Sequence, residues 1–359
     1  MIRSTTNGVL KGYRYNLQRS TYTLNKSRDT VITQRNFNSF AEDPAAAAQS
    51  FQLRRSYLRT ESQLNVGESV VRKYDVAWDT LQAVVDDVSN QASDSAYDAV
   101  IRAQSDTSGG GRNALGQSLC ATAKSIIQTM NARYGDNFVF SGADGLTIPF
   151  TWETDANGNE ALVYRGVAVD AAANQDGTDT EDLAALKYMV NKEVKYVDVG
   201  LGLEEDENGE VLSSSAANVA LQGINFLGYG VDEDGDPKNL ASILNRMGAI
   251  LLNCDSESGA FKDGVEEEEF YRLAGKFDKA SALLTDKHVE LDGQAEFLQT
   301  NQQQLESTAY TLQEQFLGIE DADLADAITA YSWAQYCYNA ALKVGNSILS
   351  ESLMDYLQM

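Results

Sequence analysis

The end of the chain carries a seven-residue apolar repeat, and this repeat constrains the fold more than any other feature. Residues 319–359 contain no proline and one glycine, Gly345. The repeat comprises Ile328, Gln335, Leu342, Leu349 and Tyr356, and a second row comprises Leu324, Tyr331, Tyr338 and Leu353. This spacing predicts an amphipathic helix of coiled-coil type. Because a lone helix of this kind is marginal in water, we expect a partner along its whole length.

The start of the chain offers that partner. Leu10, Leu17, Leu24 and Val31 also recur every seven residues. Residues 1–40 hold seven Lys and Arg against one acid, whereas residues 319–359 hold six acids against one base. We therefore expect the two ends to pair as a helical hairpin. An Arg-rich, acid-poor start also fits a mitochondrial transit peptide, but the matching repeat favours helix pairing.

Composition excludes several classes of protein. The 359 residues carry a formal net charge of −25, which argues against nucleic-acid binding because phosphates need a positive surface. No run of 18 apolar residues is present, so we expect no membrane span. The start has no continuous apolar core, so we expect no cleaved secretory signal. The three cysteines form no CxxC pair and are expected to be small buried hydrophobes.

Long proline-free stretches predict further helices on both sides of the centre. We expect helices at about 4–34, 44–92 and 113–134, with the glycines of SGGGR (108–112) as a flexible break. Residues 238–253 predict another helix. A very long one begins at Glu267, where a strict repeat runs from Phe270 to Leu312 and continues to Leu317.

The centre of the chain is strand-like. NFVFSG (137–142) alternates like a strand, and hairpins are predicted around Asn157-Gly158 and Asn208-Gly209. TEDLAALKYMV (180–190) predicts a short helix. The predicted fold is mainly α with an inserted β-rich domain (α+β): a long antiparallel, coiled-coil-like rod from both termini, with the β-rich domain at its far end. The predicted domains are 1–42 with 319–359, 43–136 with 238–318, and 137–237.

The residues suggest no catalytic, cofactor or metal site. His288, the one histidine, is expected to pack within the longest helix. DEDGD (232–236) lacks the spacing of an EF-hand and is interpreted as an acidic turn. We find no nucleophile–base pair and no cofactor loop, so we do not expect an enzyme.

Four stretches resemble the bacterial flagellin and hook-associated protein family. AEDPAAAAQSFQL (41–53) resembles the turn before its first rod helix, GIEDADLADAI (318–328) the start of its C-terminal region, and SILSESLMDYL (347–357) its Leu-rich end. NFVFSGADG (137–145) resembles the strand by which hook–filament junction proteins enter their outer domain. Residues 31–37, VITQRNF, lack the glycine that is usual before the acidic turn.

The resemblance implies a structural subunit of the flagellum that links hook-side subunits to the flagellin filament; a flagellin or minor flagellin, or an adhesin on a helical stalk, are the alternatives. It implies self-association into a ring, neighbouring hook-associated and flagellin subunits as partners, an export chaperone on the C-terminal helix, and an extracellular location. The residues expected at the assembly interface are Leu10, Leu17, Leu24, Val31, Ile328, Leu342, Leu349 and Leu353.

Overall fold

The computed structural model describes residues 6–89, 95–105, 109–154, 160–174, 177–200, 202–212, 215–255 and 258–357, without the side chains of residues 6–7, 109 and 348–357. The chain divides into two compact units. The terminal unit comprises Met1–Ser62 and Glu306–Met359, and the central unit comprises Gln63–Leu305. None of the described helices combines the length and hydropathy needed to cross a membrane.

The terminal unit contains four helical segments. These are α1 (Thr6–Thr33), the first part of α2 (Pro44–Val88), the last part of α8 (Gly264–Glu320) and α9 (Leu324–Leu357). Asp43 caps α2 because its side-chain oxygen accepts a hydrogen bond from the amide of Ala46 at 3.0 Å, and Pro44 occupies the first helical position. The helices predicted at about 4–34 and 44–92 are thus confirmed, and their ends agree to within a few residues.

The central unit holds the remaining helices. They are the rest of α2 and α8, α3 (Ala96–Ser105), α4 (Gly109–Met130), α5 (Glu181–Asn191), α6 (Gly223–Leu227) and α7 (Leu240–Asn253). Helices α4 and α7 cross closely at Gly116 and Gly248: a Cβ atom at Gly248 would lie 2.8 Å from the carbonyl oxygen of Gly116. A side chain at either position would hold the helices apart, so the glycines permit this packing.

The strands are short and antiparallel. They are β1 (Arg133–Tyr134), β2 (Asn137–Phe138), β3 (Ser141–Gly142), β4 (Phe150–Thr154), β5 (Glu160–Tyr164), β6 (Val167–Ala168), β7 (Tyr196–Val197), β8 (Ala217–Asn218) and β9 (Leu221–Gln222). They form the sheets β1–β2, β3–β9, β4–β5–β6 and β7–β8. The chain is mainly α-helical with small antiparallel sheets inserted between α4 and α7, which confirms the predicted fold class.

The two predicted hairpins lie between α4 and α7. Strands β4 and β5 pair with Thr154 opposite Glu160, while the turn at Asn157-Gly158 lies outside the described residues. Around Asn208-Gly209, the amide of Gly209 donates to the carbonyl oxygen of Asp206 at 3.0 Å, and Gly209 takes a φ of 79°. This positive φ suits glycine, which explains the turn.

Several local predictions are wrong. The glycines at 109–111 do not break the chain but open α4, because its apolar face is buried against neighbouring helices. The predicted strand at 137–142 is two separate two-residue strands, and α3 was not predicted. The longest helix continues through Gly318 to Glu320.

The largest fully buried side chains among the described residues lie in the central unit. Fully buried aromatic and aliphatic residues from α2, α4, β4, β5 and α8 form one cluster. Its largest members include Tyr74, Phe140, Phe150, Tyr164, Phe270 and Phe277. A core of this size gives the central unit its own hydrophobic stabilisation.

Candidate assembly interface

Helices α1 and α9 pack side by side in the terminal unit and run antiparallel. The ends meet through main-chain bonds at residues 34–36 and 320–322, while Tyr13 near the start of α1 contacts Gly345 far along α9. The expected pairing of the two termini is therefore present. The charge opposition contributes one ion pair among the described residues of the two ends, between Arg35 and Glu320 at 3.9 Å.

The apolar repeat of α1 lies on its packed side. Leu10, Leu17, Leu24 and Val31 are all half-buried, as is Tyr13. At about 100° per residue these five positions fall on one face of the helix. The sequence repeat thus identifies the face of α1 that meets α9.

The packed face of α9 matches the predicted stripe only in part, because Tyr331 and Tyr338 of the second row lie in it and Ile328 and Leu342 do not. Buried or half-buried positions on α9 are Ala327, Tyr331, Ala334, Tyr338, Ala341 and Gly345. Ile328 and Leu342, which the repeat placed in the stripe, remain 47% and 42% exposed. Small side chains let the two helices approach closely, so the alanine row rather than the leucine row faces α1. The seven-residue spacing of Ala327, Ala334 and Ala341 was the signal that could have shown this.

The expected interface residues therefore fall into three groups. Those of α1 are half-buried in the hairpin, and Ile328 and Leu342 are exposed beside it. Leu349 and Leu353 belong to α9, but their side chains lie outside the described residues. A role of these residues between subunits stays a prediction.

Aromatic side chains cover the outer faces of both helices. Tyr15 and Tyr22 on α1 are each 67% exposed. On α9, Trp333 and Tyr336 stack with ring centroids 5.8 Å apart and remain 69% and 67% exposed. By the helical repeat, these positions point away from the packed faces of their helices. Trp333 and Tyr336 belong to neither row of the predicted helix, so the seven-residue repeat did not indicate them.

A network of hydrogen bonds closes the base of the hairpin. The amide of Asn36 donates to the carbonyl oxygen of Glu320 at 2.7 Å, and the amide of Ala322 donates to that of Gln34 at 3.0 Å. The side-chain amide of Asn36 also donates to the carbonyl oxygens of Ile319 and Asp321, at 3.0 and 2.9 Å. Gln34 takes a φ of 57°, which turns the chain sharply after α1.

Glu320 is the buried charge at this base. Its side chain accepts hydrogen bonds from the Ser50 hydroxyl and, at 2.5 Å, from the Arg54 guanidinium. The residue is 8% exposed, so the carboxylate depends on these partners for its charge to be stabilised. Glu320 thereby joins the end of α8 to the start of α2.

The motif IEDAD (319–323) therefore has a structural explanation. Glu320 makes the ion pairs, the main chain of Asp321 bridges to Arg35, and Asp323 caps α9 by accepting from the amide of Ala325 at 2.7 Å. Asp323 acts as the N-cap of a helix whose remaining first-turn acid is Asp326.

A second charged cluster lies in the central unit. Asp232 and Asp234 contact the ammonium of Lys276 at 2.6 and 2.9 Å, and Asp236 binds both Lys276 and Arg272. Burial opposes the charge on Lys276, but its hydrogen bonds to the aspartates raise its pKa overall. The Arg272 guanidinium holds the pKa of Asp236 below its usual range. Lys276 supplies the positive charge at the centre of the three carboxylates, where a cation would otherwise be needed.

The single histidine packs as expected. His288 is 8% exposed, and its ring lies 5.0 Å from that of Trp78. The cysteines differ from the expectation in part, because Cys254 is buried and Cys120 half-buried, whereas Cys337 is exposed on α9.

Comparison with known proteins found no matching family model and no matching curated protein. Solved structures do resemble the chain. A protein described as a flagellar hook-associated protein from Vibrio parahaemolyticus is 16% identical, with a TM-score of 0.49 over 77% of this chain and 99% of the other. FlgL of Bacillus cereus is 14% identical, with a TM-score of 0.41 over 74% and 99% of the two chains. FlgL of Xanthomonas campestris is 14% identical, with a TM-score of 0.44 over 74% and 98%. Because these TM-scores lie below 0.5, the similarity alone establishes no shared function.

Proposed function

We propose that this chain is a structural subunit of the bacterial flagellum, placed at the junction between hook-side subunits and the flagellin filament. The observation that carries the proposal is the apolar surface left around the terminal hairpin. Each of its two helices covers one face of the other, yet both keep large apolar side chains exposed on further faces. Such a surface is typical of a protein that is completed by neighbouring subunits.

Helix α9 shows this most clearly. Its packed face meets α1. Beside that face, Leu324, Ile328 and Leu342 remain exposed, and Trp333 and Tyr336 are exposed on the far side of the helix. A helix that is apolar on all sides is normally buried. In a tubular assembly, neighbouring copies would cover the two exposed faces. Residues 1–42 and 319–359 would form the polymerisation domain of this assembly.

The base of the hairpin supports the same proposal. The two motifs that resemble flagellins and hook-associated proteins, at 41–53 and 318–328, meet there through Ser50, Arg54 and Glu320. These contacts would hold the hairpin in the orientation that a regular helical lattice requires. The junction role itself, rather than that of a flagellin, is supported by the family-like segment at 137–145.

The proposal includes the path of the chain to its place of assembly. The terminal helices would stay unpaired during export without a cleaved signal, with a chaperone covering α9, and would fold when subunits meet outside the cell. Assembly would give a short ring between hook and filament, in contact with hook-associated and flagellin subunits.

The test is a double substitution, Ile328→Asp with Leu342→Asp, in the parent bacterium. Both residues are about half exposed in the single chain, at 47% and 42%, so each substitution should lower its stability by only about 1 kcal/mol. They place charges in the proposed interface, so we expect cells with hooks, without filaments, and with flagellin released into the medium. Gln128→Glu with Gln303→Glu adds the same two charges at exposed polar positions of the central unit and should leave motility intact.

Two outcomes would contradict the proposal. Filaments growing on the hooks of the double variant would exclude a junction role. Labelling of the wild-type flagellum with an antibody to this chain should give one band between hook and filament; labelling along the filament would show a flagellin instead.

A further inference from the structure

The central unit contains an open cleft of about 580 Å³ that the proposed assembly role does not use. One wall is the stretch of α8 from Lys287 to Leu298, and the other is formed by residues 190–194 and 217–226. The Tyr74 side chain lines it from α2. The volume lies within the range of small-molecule sites.

Carboxamide side chains dominate the polar part of this cleft. They are Asn191, Asn218, Gln222, Asn225 and Gln294. A free carboxamide offers one acceptor oxygen and two donor hydrogens. Part of this capacity is already used, because the Asn218 oxygen accepts from the amides of Lys195 and Ala220 and the Asn191 nitrogen donates to the carbonyl oxygen of Lys187. The Gln222 amide nitrogen donates to the carbonyl oxygen of Glu193 at 2.9 Å, which leaves its oxygen as an acceptor. Asn225 is half-buried and makes no side-chain hydrogen bond among the described residues.

The charged groups of the cleft are already paired. The guanidinium of Arg165 lies 2.8 Å from both carboxylate oxygens of Glu193, and Lys287 lies 2.7 Å from Glu290. The cleft therefore presents dipoles rather than a net charge to a ligand. The net charge of −25 on the whole chain disfavours an anionic ligand.

An aromatic ring lies beside these carboxamides. Phe297 is 54% exposed and lines the same cleft. We propose that the cleft binds a neutral saccharide of one or two rings, independently of the flagellar role. Sugar hydroxyls both donate and accept hydrogen bonds, as carboxamides do, and the apolar C–H face of a sugar ring suits the exposed face of a phenyl ring.

A saccharide fits the cleft better than an extended peptide. Peptides that add to a sheet need a free strand edge for main-chain bonding. Strands β8 and β9 belong to two-stranded sheets and are only two residues long, so their remaining edges offer an added peptide too few main-chain groups to pair with. The polar groups of the cleft are instead side-chain carboxamides on separate segments of the chain, which suit the hydroxyls around a sugar ring.

The experiment uses the full chain and saturation-transfer NMR with maltose, cellobiose and N,N′-diacetylchitobiose, followed by calorimetric titration of the disaccharide that binds best. Gln294→Leu and Phe297→Ala change exposed positions and should leave the fold intact. We expect each to weaken binding at least tenfold, and Asn225→Leu to do the same. Gln303→Leu, an exposed position of α8 outside the cleft, should change nothing. Cellobiouronic acid should bind at least tenfold more weakly than cellobiose.

Three results would overturn the saccharide assignment. The first is the absence of a transfer signal from every disaccharide at about 10 mM, a concentration at which even weak binding to a site of this size would be detected. The second is equal binding by the wild type, the Gln294→Leu variant and the Phe297→Ala variant. The third is a stronger transfer signal from the tripeptide Ala-Ser-Ala than from every disaccharide at equal concentration, which would show a peptide site.

Discussion

Tyr13 of α1 lies directly against Gly345 of α9. A Cβ atom at residue 345 would be 2.8 Å from Cε2 of the tyrosine ring and closer still to Cζ and the hydroxyl oxygen. This contact fixes the spacing of the terminal hairpin near its open end. The glycine is required by the approach of the ring rather than by its own backbone conformation. The pair therefore offers a direct test of the helix pairing.

Gly345→Leu should weaken the hairpin by about 1 kcal/mol, because the end of the Tyr13 side chain must move aside for the added side chain. Hydrogen exchange of the α9 amides measures the effect. Replacing Tyr13 with Ala in the same chain should recover part of the loss, since the two residues are in contact. Gly12→Leu on α1 is the control: a Cβ there meets nothing within 4 Å, so the substitution should slow exchange. Equal effects at Gly12 and Gly345 would show that the contact is absent.

Glu320→Gln should loosen the base of the hairpin by about 1–3 kcal/mol. The substitution keeps the shape of the side chain but removes the charge that Arg54 and Ser50 bind in a buried position. The amides of Asn36 and Ala322, which bond across the base, should then exchange faster. Glu306→Gln, at an exposed position of α8, is the matched control. Unchanged exchange in both variants would contradict a role for the buried charge.

Gly248→Ala should destabilise the central unit by about 1–3 kcal/mol, because the new methyl group meets backbone atoms that cannot move aside easily. Urea unfolding should show a lower midpoint with an unchanged slope. Gly275→Ala on α8, where a Cβ meets nothing within 4 Å, should raise stability by about 0.5–1 kcal/mol. A stabilising effect at Gly248 would show that α4 and α7 can separate at little cost.

The terminal helices could be predicted from the sequence because the position of Leu10, Leu17, Leu24 and Val31 on one face depends only on helix geometry. The packed face of α9 could not be predicted in the same way. The prediction was based on the large apolar residues, whereas the close approach of the two helices requires small ones such as Ala334.

The remaining features depend on contacts between distant parts of the chain. Glu320 bonds to Ser50 and Arg54 across more than 260 residues, and no local pattern marks such a pair. Strands of two residues are likewise fixed by their partners rather than by their own alternation, as with β3 and β9. The cleft beside Gln294 is assembled from three such distant segments.

Asp170 should give the central unit a pH dependence between about pH 4 and 6. Burial raises its pKa to about 6, the Ser242 hydroxyl lowers it only in part, and one carboxylate oxygen has no hydrogen-bond partner among the described residues. Because the folded-state pKa is raised, the contribution is favourable below the unfolded pKa and is lost as the pH rises through 6. The loss at pH 7 is up to about 3 kcal/mol.

Asp170→Asn should therefore be less destabilising, or more stabilising, at pH 7 than at pH 4 relative to the wild type. Urea unfolding of both chains across this range measures the difference. Asp136→Asn, an exposed aspartate, should show no such change. A difference between wild type and variant that stays constant with pH would contradict the raised pKa.

Lys276→Met should destabilise the turn at 232–236 and make it responsive to calcium. The wild-type ammonium is shared by Asp232, Asp234 and Asp236, so its removal leaves three carboxylates with Arg272 as their remaining cation among the described residues. Breaking a partly buried pair of this kind costs roughly 2–4 kcal/mol. Millimolar Ca²⁺ should raise the Tm of the variant, because its carboxylate oxygens lie within 4.8 Å of one another, and should leave the wild-type Tm unchanged. Lys279→Met, at an exposed position one turn along α8, should alter neither value. A wild-type Tm that rises with Ca²⁺ and falls with EDTA would show instead that a metal, not Lys276, neutralises this turn.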